Sequence, residues 1–167
     1  TIKSQYNWVK WFEKEHSISA SPARNFLYKQ AVGEFFIGLD DDAHLISHQP
    51  IKTITNYFDA NPKLGILAFF ELKGIFEKPA DHIIEIKPNE FLTNEFIGCG
   101  FAMRKSVYDQ TNGFPTWMDI YGEETCLSIE VLDLNYDILF TNRVAVNHRV
   151  NKEDRQRQGR NYFRFEK

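Results

Sequence analysis

Residues Phe35-Phe36-Ile37-Gly38-Leu39 form an unbroken apolar run, and it stops abruptly at Asp40-Asp41-Asp42. A run of this kind is the pattern of a strand buried on both faces, which requires a sheet covered by other layers. Ligands in open α/β sheets bind beyond the carboxyl ends of strands, which is where these acids stand. The neighbouring segments fit such a layered arrangement. Ser21-Pro22 followed by Ala23, Leu27 and Ala31 predicts a helix with Ser21 at its cap and Pro22 at its first position, ended by Gly33. Pro50 opens another helix, with Ile51, Ile54 and Phe58 on one side and Asn61-Pro62 at its close. Leu64 to Phe70 is a second apolar run and a second buried strand.

The pattern continues towards the C-terminus. Ile83 to Ile86 predicts an edge strand, and Phe96 to Met103 a strand interrupted by Gly98 and Gly100. A short helix is expected from Arg104 to Gln110, ended by Asn112-Gly113. Another begins near Glu123, with Leu127, Val131 and Leu134 in helical register and Asn135 placed for a left-handed C-cap. Asp137–Phe140 and Val144–Val146 read as short strands. Strands alternating with helices predict an α/β fold around a mostly parallel sheet. The 167 residues suit one domain over 1–167, with a basic tail over 151–167 that reads as a solvated, frayed helix. A formal net charge of −3 argues against a general electrostatic grip on nucleic acid. Cys99 and Cys126 have neither metal-type spacing nor a disulfide framework, which fits a reducing compartment. No apolar run reaches the roughly 20 residues of a membrane helix. A first residue other than Met suggests a fragment or a processed product.

Four motifs can carry chemistry, and each also has a plain reading. Three adjacent carboxylates repel one another, so Asp40-Asp41-Asp42 is either a solvated acidic loop or a site for a divalent cation with oxygen ligands. Tyr121-Gly122-Glu123-Glu124 precedes a helix, where carboxylates favour the dipole. A glutamate held near other acids can also have a raised pKa and act as a general base. The glycines of Gly98-Cys99-Gly100 mark either a bulge or a close approach of ligand to backbone. His148 is either structural or exposed, or a ligand-facing group after its strand. His16, His44, His48 and His82 form no usable spacing.

Taken in order, five separated motifs resemble the family 2 glycosyltransferases of GT-A fold, over about residues 18 to 150. They are Ala23-Arg24-Asn25, Asp40-Asp41-Asp42, Gly98 to Arg104, Gly113-Phe114 with Tyr121 to Glu124, and His148. The resemblance implies a Rossmann-like GT-A sheet flanked by helices, lacking the N-terminal strand–helix–strand unit that holds base and ribose. It implies metal-assisted transfer, with inversion, of a sugar from a nucleoside diphosphate to an acceptor hydroxyl. Asp40 and Asp42 then match the Asp-x-Asp pair that meets Mn2+ or Mg2+ and the ribose-diphosphate, with Asp41 between them on the nucleotide-sugar side. Arg24 and Asn25 would lie near the nucleotide, and Gly98 and Gly100 would let donor and acceptor approach. Glu124 matches the base, Glu123 its acidic neighbour, and His148 a late metal or diphosphate contact.

The same resemblance implies a UDP-sugar donor, a carbohydrate or lipid-linked acceptor and a role in polysaccharide biosynthesis. The expected location is cytoplasmic, at the inner face of a membrane through peripheral association. Two positions depart from the family: the base is usually Asp, and Cys126 stands where another Asp is common. A sugar-1-phosphate nucleotidyltransferase is disfavoured because no Gly-rich phosphate loop with a basic residue is present. A degenerate carbohydrate- or partner-binding module is supported by Cys126 and opposed by the intact acidic motifs.

Overall fold

Apolar side chains on both faces of its central strands oblige this chain to cover a sheet on two sides. The computed structural model describes residues 2–16, 18–74, 87–118 and 122–149. The elements are α1 (Ile2–Gln5), α2 (Ala20–Gln30), β1 (Phe35–Leu39), β2 (Ala43–Leu45), α3 (Pro50–Ala60) and β3 (Leu64–Gly74). They continue with β4 (Glu90–Thr93), β5 (Gly100–Arg104), α4 (Lys105–Tyr108), α5 (Glu123–Asp133) and β6 (Asp137–Arg149). On one face Ile54 and Phe58 of α3 pack with Leu67, Ala102, Val144 and Val146. On the other, Tyr28 of α2, Val107 and Tyr108 of α4, and Leu127 and Val131 of α5 pack with Phe36, Ile66, Phe101 and Met103. Among the described residues, no helix is long and apolar enough to cross a membrane.

Among the described residues the sheet has six strands, in the order β1-β5-β3-β6-β2, with β4 also paired to β6. Here the expectation of a mostly parallel sheet is corrected. Only β3 and β6 are parallel; the other pairings among the described residues are antiparallel. A parallel neighbour needs a crossover of a dozen or more residues, usually a helix. β3, β4 and β5 follow one another without a helix among the described residues, so the chain doubles back. The α/β class stands, with a mixed sheet.

This topology positions the site. β1, β3 and β6 run in one direction, so their carboxyl ends bring Asp40, Glu71 and His148 to the same end of the sheet. β2 and β5 run the other way, and their starts bring Asp42 and the Gly98–Gly100 turn to that end.

Several local expectations shift. β1 alternates between buried and partly exposed residues instead of being buried throughout. α2 starts at Ala20 with Ser19 as its cap, so Ser21 lies inside the helix and is buried. β5 begins only at Gly100, after a turn at Gly98-Cys99. The two expected C-terminal strands are one, because β6 bulges between Thr141, paired with Phe69, and Ala145, paired with Phe70. Asn135 is left-handed as expected, with φ 63°. The expected strand Ile83–Ile86, Tyr121 and the tail 151–167 lie outside the described residues.

Candidate functional site

Arg24 stands four residues before Tyr28, on the same face of α2. Tyr28 stacks on Phe36 at 4.3 Å between ring centroids and meets Phe101 and Tyr108 edge-on. Gly38 permits this, since a Cβ there would lie 2.3 Å from the Phe101 ring and 2.6 Å from the Tyr28 hydroxyl. So anchored, α2 delivers its guanidinium to the end of β1. Arg24 Nη2 donates to Asp40 Oδ1 at 2.7 Å, and Nη1 lies 3.4 Å from Glu123 Oε1 and 3.5 Å from Glu124 Oε1. The guanidinium also sits 5.3 Å from the Phe114 ring centroid. Burial works against the Arg24 cation, but Asp40 and then Glu124 outweigh it and raise its pKa.

Gly122 opens α5 with φ 105°, which a side chain would strain, and puts Glu123 and Glu124 in its first turn. Both carboxylates therefore meet the positive end of the helix dipole. Glu124 Oε1 accepts the Gly98 N–H at 3.2 Å. Burial first, then the charge of Glu123, raise the Glu124 pKa, against the pull of backbone N–H groups and Arg24. Glu123 is 7% exposed, and its Oε2 is buried without a hydrogen-bond partner among the described residues.

On the far side of Asp40 the chemistry changes. His148 Nδ1 lies 2.6 Å from Glu71 Oε1, and Nε2 lies 3.2 Å from Asp42 Oδ1. A carboxylate only accepts, so the short contact places a proton on Nδ1, and Nε2 faces Asp42 with a lone pair in the neutral ring or with a second N–H in the charged one. In the neutral ring that lone pair and the Asp42 carboxylate repel each other, and a cation held between them would relieve the repulsion. Asp40, Asp42 and His148 offer ligand atoms all within 4.8 Å of one another, so the donor set fits a divalent ion.

The structure thus brings together Arg24, Asp40, Asp42, Glu123, Glu124, Gly98 and His148. Asp41 is exposed between the two inward acids. Asn25 is turned elsewhere: its oxygen accepts from Phe114 N–H and the Tyr108 hydroxyl, and its nitrogen donates to Phe114 O. That set fastens the Gly113-Phe114 turn to α2. The space beside Gly98 is taken by Glu124 and Arg24, and beside Gly100 by Val146, so both glycines admit protein side chains. Glu71 and Cys99 are the residues sequence reasoning missed. Glu71 had a signal, because it ends the run Leu64–Phe70 as Asp40 ends Phe35–Leu39.

No family model matches the chain. It is 30% identical over 114 residues to an uncharacterized protein of Haemophilus influenzae, a match covering 63% of this chain and 60% of that one. Solved structures share its fold. GalNAc-T7 with UDP, GalNAc and Mn2+ aligns over 90% of this chain and 34% of its own, with TM-score 0.70 and 15% identity. Staphylococcus aureus TarS 1-349 with UDP aligns over 93% of this chain and 48% of its own, with TM-score 0.67 and 18% identity. The mannosyltransferase PcManGT of Pyrobaculum calidifontis, with GDP-Man and Mn2+, aligns over 86% and 39%, with TM-score 0.59 and 19% identity. The chain therefore has a glycosyltransferase fold of the GT-A kind, and it spans less than two thirds of each of these proteins.

Proposed function

We propose that this chain carries the catalytic centre of an inverting, metal-assisted glycosyltransferase of the family 2 kind. Its donor is a nucleoside-diphosphate sugar, a UDP-sugar in this reading, and its acceptor is a carbohydrate or lipid-linked hydroxyl. One observation carries the reading: Arg24 ties Asp40, at the end of β1, to Glu124, at the start of α5. A metal-and-diphosphate carboxylate and a base carboxylate thereby face one site. The shared fold alone would not give the activity. The nucleotides and Mn2+ held by GalNAc-T7 and PcManGT are chemically consistent with the acids present here.

Asp40, Asp42 and His148 would hold Mn2+ or Mg2+, which when bound neutralises charge on the departing diphosphate. Arg24 fixes the Asp40 carboxylate and limits repulsion among the three acids it touches. Glu124, its pKa raised by burial and Glu123, accepts the proton of the acceptor hydroxyl. Attack from the face opposite the leaving diphosphate inverts the anomeric carbon. Calorimetry of the full-length protein with UDP and Mn2+ tests the first half of this reading. Binding that needs both, and that is lost in an Asp40→Ala/Asp42→Ala variant, is the expected result. Unchanged affinity in that variant sinks the metal assignment.

A further inference from the structure

Behind the oxygen-rich triad lies a second convergence of donors with different chemistry. Glu71 near the end of β3, Cys99 in the turn before β5 and His148 near the end of β6 place their ligand atoms within 4.8 Å of one another. Cys99 is 2% exposed, and the side chains of Glu71 and His148 are each 13% exposed. We propose that Glu71, Cys99 and His148 form a site for a thiophilic divalent cation of the zinc type, exclusive with metal at Asp40 and Asp42.

The donor set selects the cation. A thiolate with an imidazole and a carboxylate suits zinc-like ions, whereas magnesium and manganese favour oxygen. Charge favours it too, because one thiolate and one carboxylate balance a divalent ion in a buried place. Without a cation, burial and then the carboxylates of Glu71, Asp40 and Asp42 push the thiol up to about 12, so it keeps its proton. Those same carboxylates attract an arriving cation, which displaces that proton to solvent.

Exclusion follows from the ring. A neutral imidazole has one lone pair and one N–H. With the inner cation on Nδ1, the ring proton moves to Nε2 and points at Asp42 Oδ1. His148 then has nothing to offer the outer triad. One proton, from Cys99, is released per cation bound, and no redox step is involved.

The inner site stands apart from the transferase reading, whereas its exclusivity rests on the outer metal of that reading, and the two are tested separately. Cobalt titrated into the chain should give a thiolate-to-metal charge-transfer absorption, lost in Cys99→Ser and kept in Cys126→Ser. Zinc should release bound Mn2+, followed by its paramagnetic signal, at a lower zinc concentration in the parent chain than in Cys99→Ser, where it can compete only at the outer triad. X-ray absorption of the zinc-loaded parent needs no variant and should show a sulfur at about 2.3 Å. A shell of nitrogen and oxygen only, or a cobalt band that survives Cys99→Ser, overturns the site. If the inner site forms but Mn2+ never binds, the outer assignment and the exclusivity fail, and the inner site stands.

Discussion

The acidic end of the sheet has two flanks that neutralise charge by different means. On one, a permanently charged guanidinium held by α2 meets Asp40, Glu123 and Glu124. On the other, a single imidazole stands between Asp42 and Glu71. Arginine keeps its charge at any ordinary pH, so the first flank carries a fixed cation as folded, one against three carboxylates. When neutral, the imidazole can donate to only one of its two carboxylates, which leaves a place at the other for a second ring proton or a metal cation. One flank holds its carboxylates with a fixed cation, and in the proposed reading the other receives a metal.

The largest effect should come from emptying the first flank of its base. Glu124→Gln keeps the shape and can still accept the Gly98 N–H, but it cannot take a proton. Transfer should fall about 10²- to 10⁴-fold while nucleotide binding survives. Turnover and thermal midpoint should be measured together. A folded variant with near-normal turnover would reduce Glu124 to a helix-end charge and move attention to Glu123, whose Oε2 has no partner.

The second flank should respond in metal affinity. Glu71→Ala leaves the His148 ring free to turn and to place its proton on either nitrogen. Removing an outer hydrogen-bond partner of a metal ligand typically costs about 10- to 100-fold in affinity. Glu71→Gln, which retains an accepting oxygen for Nδ1–H, should lose less. Mn2+ titrations of the three proteins, with the tautomer read from ring nitrogen shifts, decide it. Equal affinities with an unchanged tautomer would detach Glu71 from the site.

Legibility in the sequence differed between the flanks for a physical reason. Asp40, Asp42, Glu123 and Glu124 were visible because each pair is local and stands at the end of an apolar or helical pattern. Their union through Arg24 was not, since it depends on Tyr28 packing against Phe36 and Phe101. Strands and helices were largely readable from periodicity. Strand direction was not, because pairing across the sheet is set by long-range contacts, and the alternation of elements suggested parallel neighbours. Glu71 and Cys99 lie 77 and 49 residues from His148 in the chain, and only β3–β6 pairing with the β5 turn joins them. Two lone residues of that kind have no spacing to notice.

Two glycines sharpen the contrast between packed core and adjustable site. An alanine Cβ at Gly38 would press on the Phe101 ring, which is fully buried, so the core must shift. Gly38→Ala should cost about 1–3 kcal/mol of stability, the usual range for overpacking. At Gly98 the Cβ would lie 2.4 Å from Glu124 Oε1 and 2.5 Å from Arg24 Nη2, both ends of flexible side chains. Gly98→Ala should therefore cost less stability than Gly38→Ala while lowering transfer, because it displaces the proposed base and the Arg24 cation beside it. Denaturant melts with turnover give both readings, and the reverse ranking would contradict the packing described here.

The smallest effect is a slope in pH, and it isolates Glu124 without any substrate. Because its folded pKa is raised, chiefly by burial and then by Glu123, the native protein holds this proton more tightly than the unfolded chain does. The associated stability is fully present below the unfolded value, about 4.3, and is lost as pH rises through the folded value. Other carboxylates contribute their own slopes, so the informative quantity is a difference between proteins. Melting midpoints of the parent and Glu124→Gln, taken from pH 4 to 8 with chelator present, should converge at the acid end. At neutral pH the glutamine variant should be the more stable, since it buries no charge beside Glu123. Curves that stay parallel across the range would mean that Arg24 and the Gly98 N–H fully offset the burial of this carboxylate. The first flank would then position Glu124 without tuning its basicity.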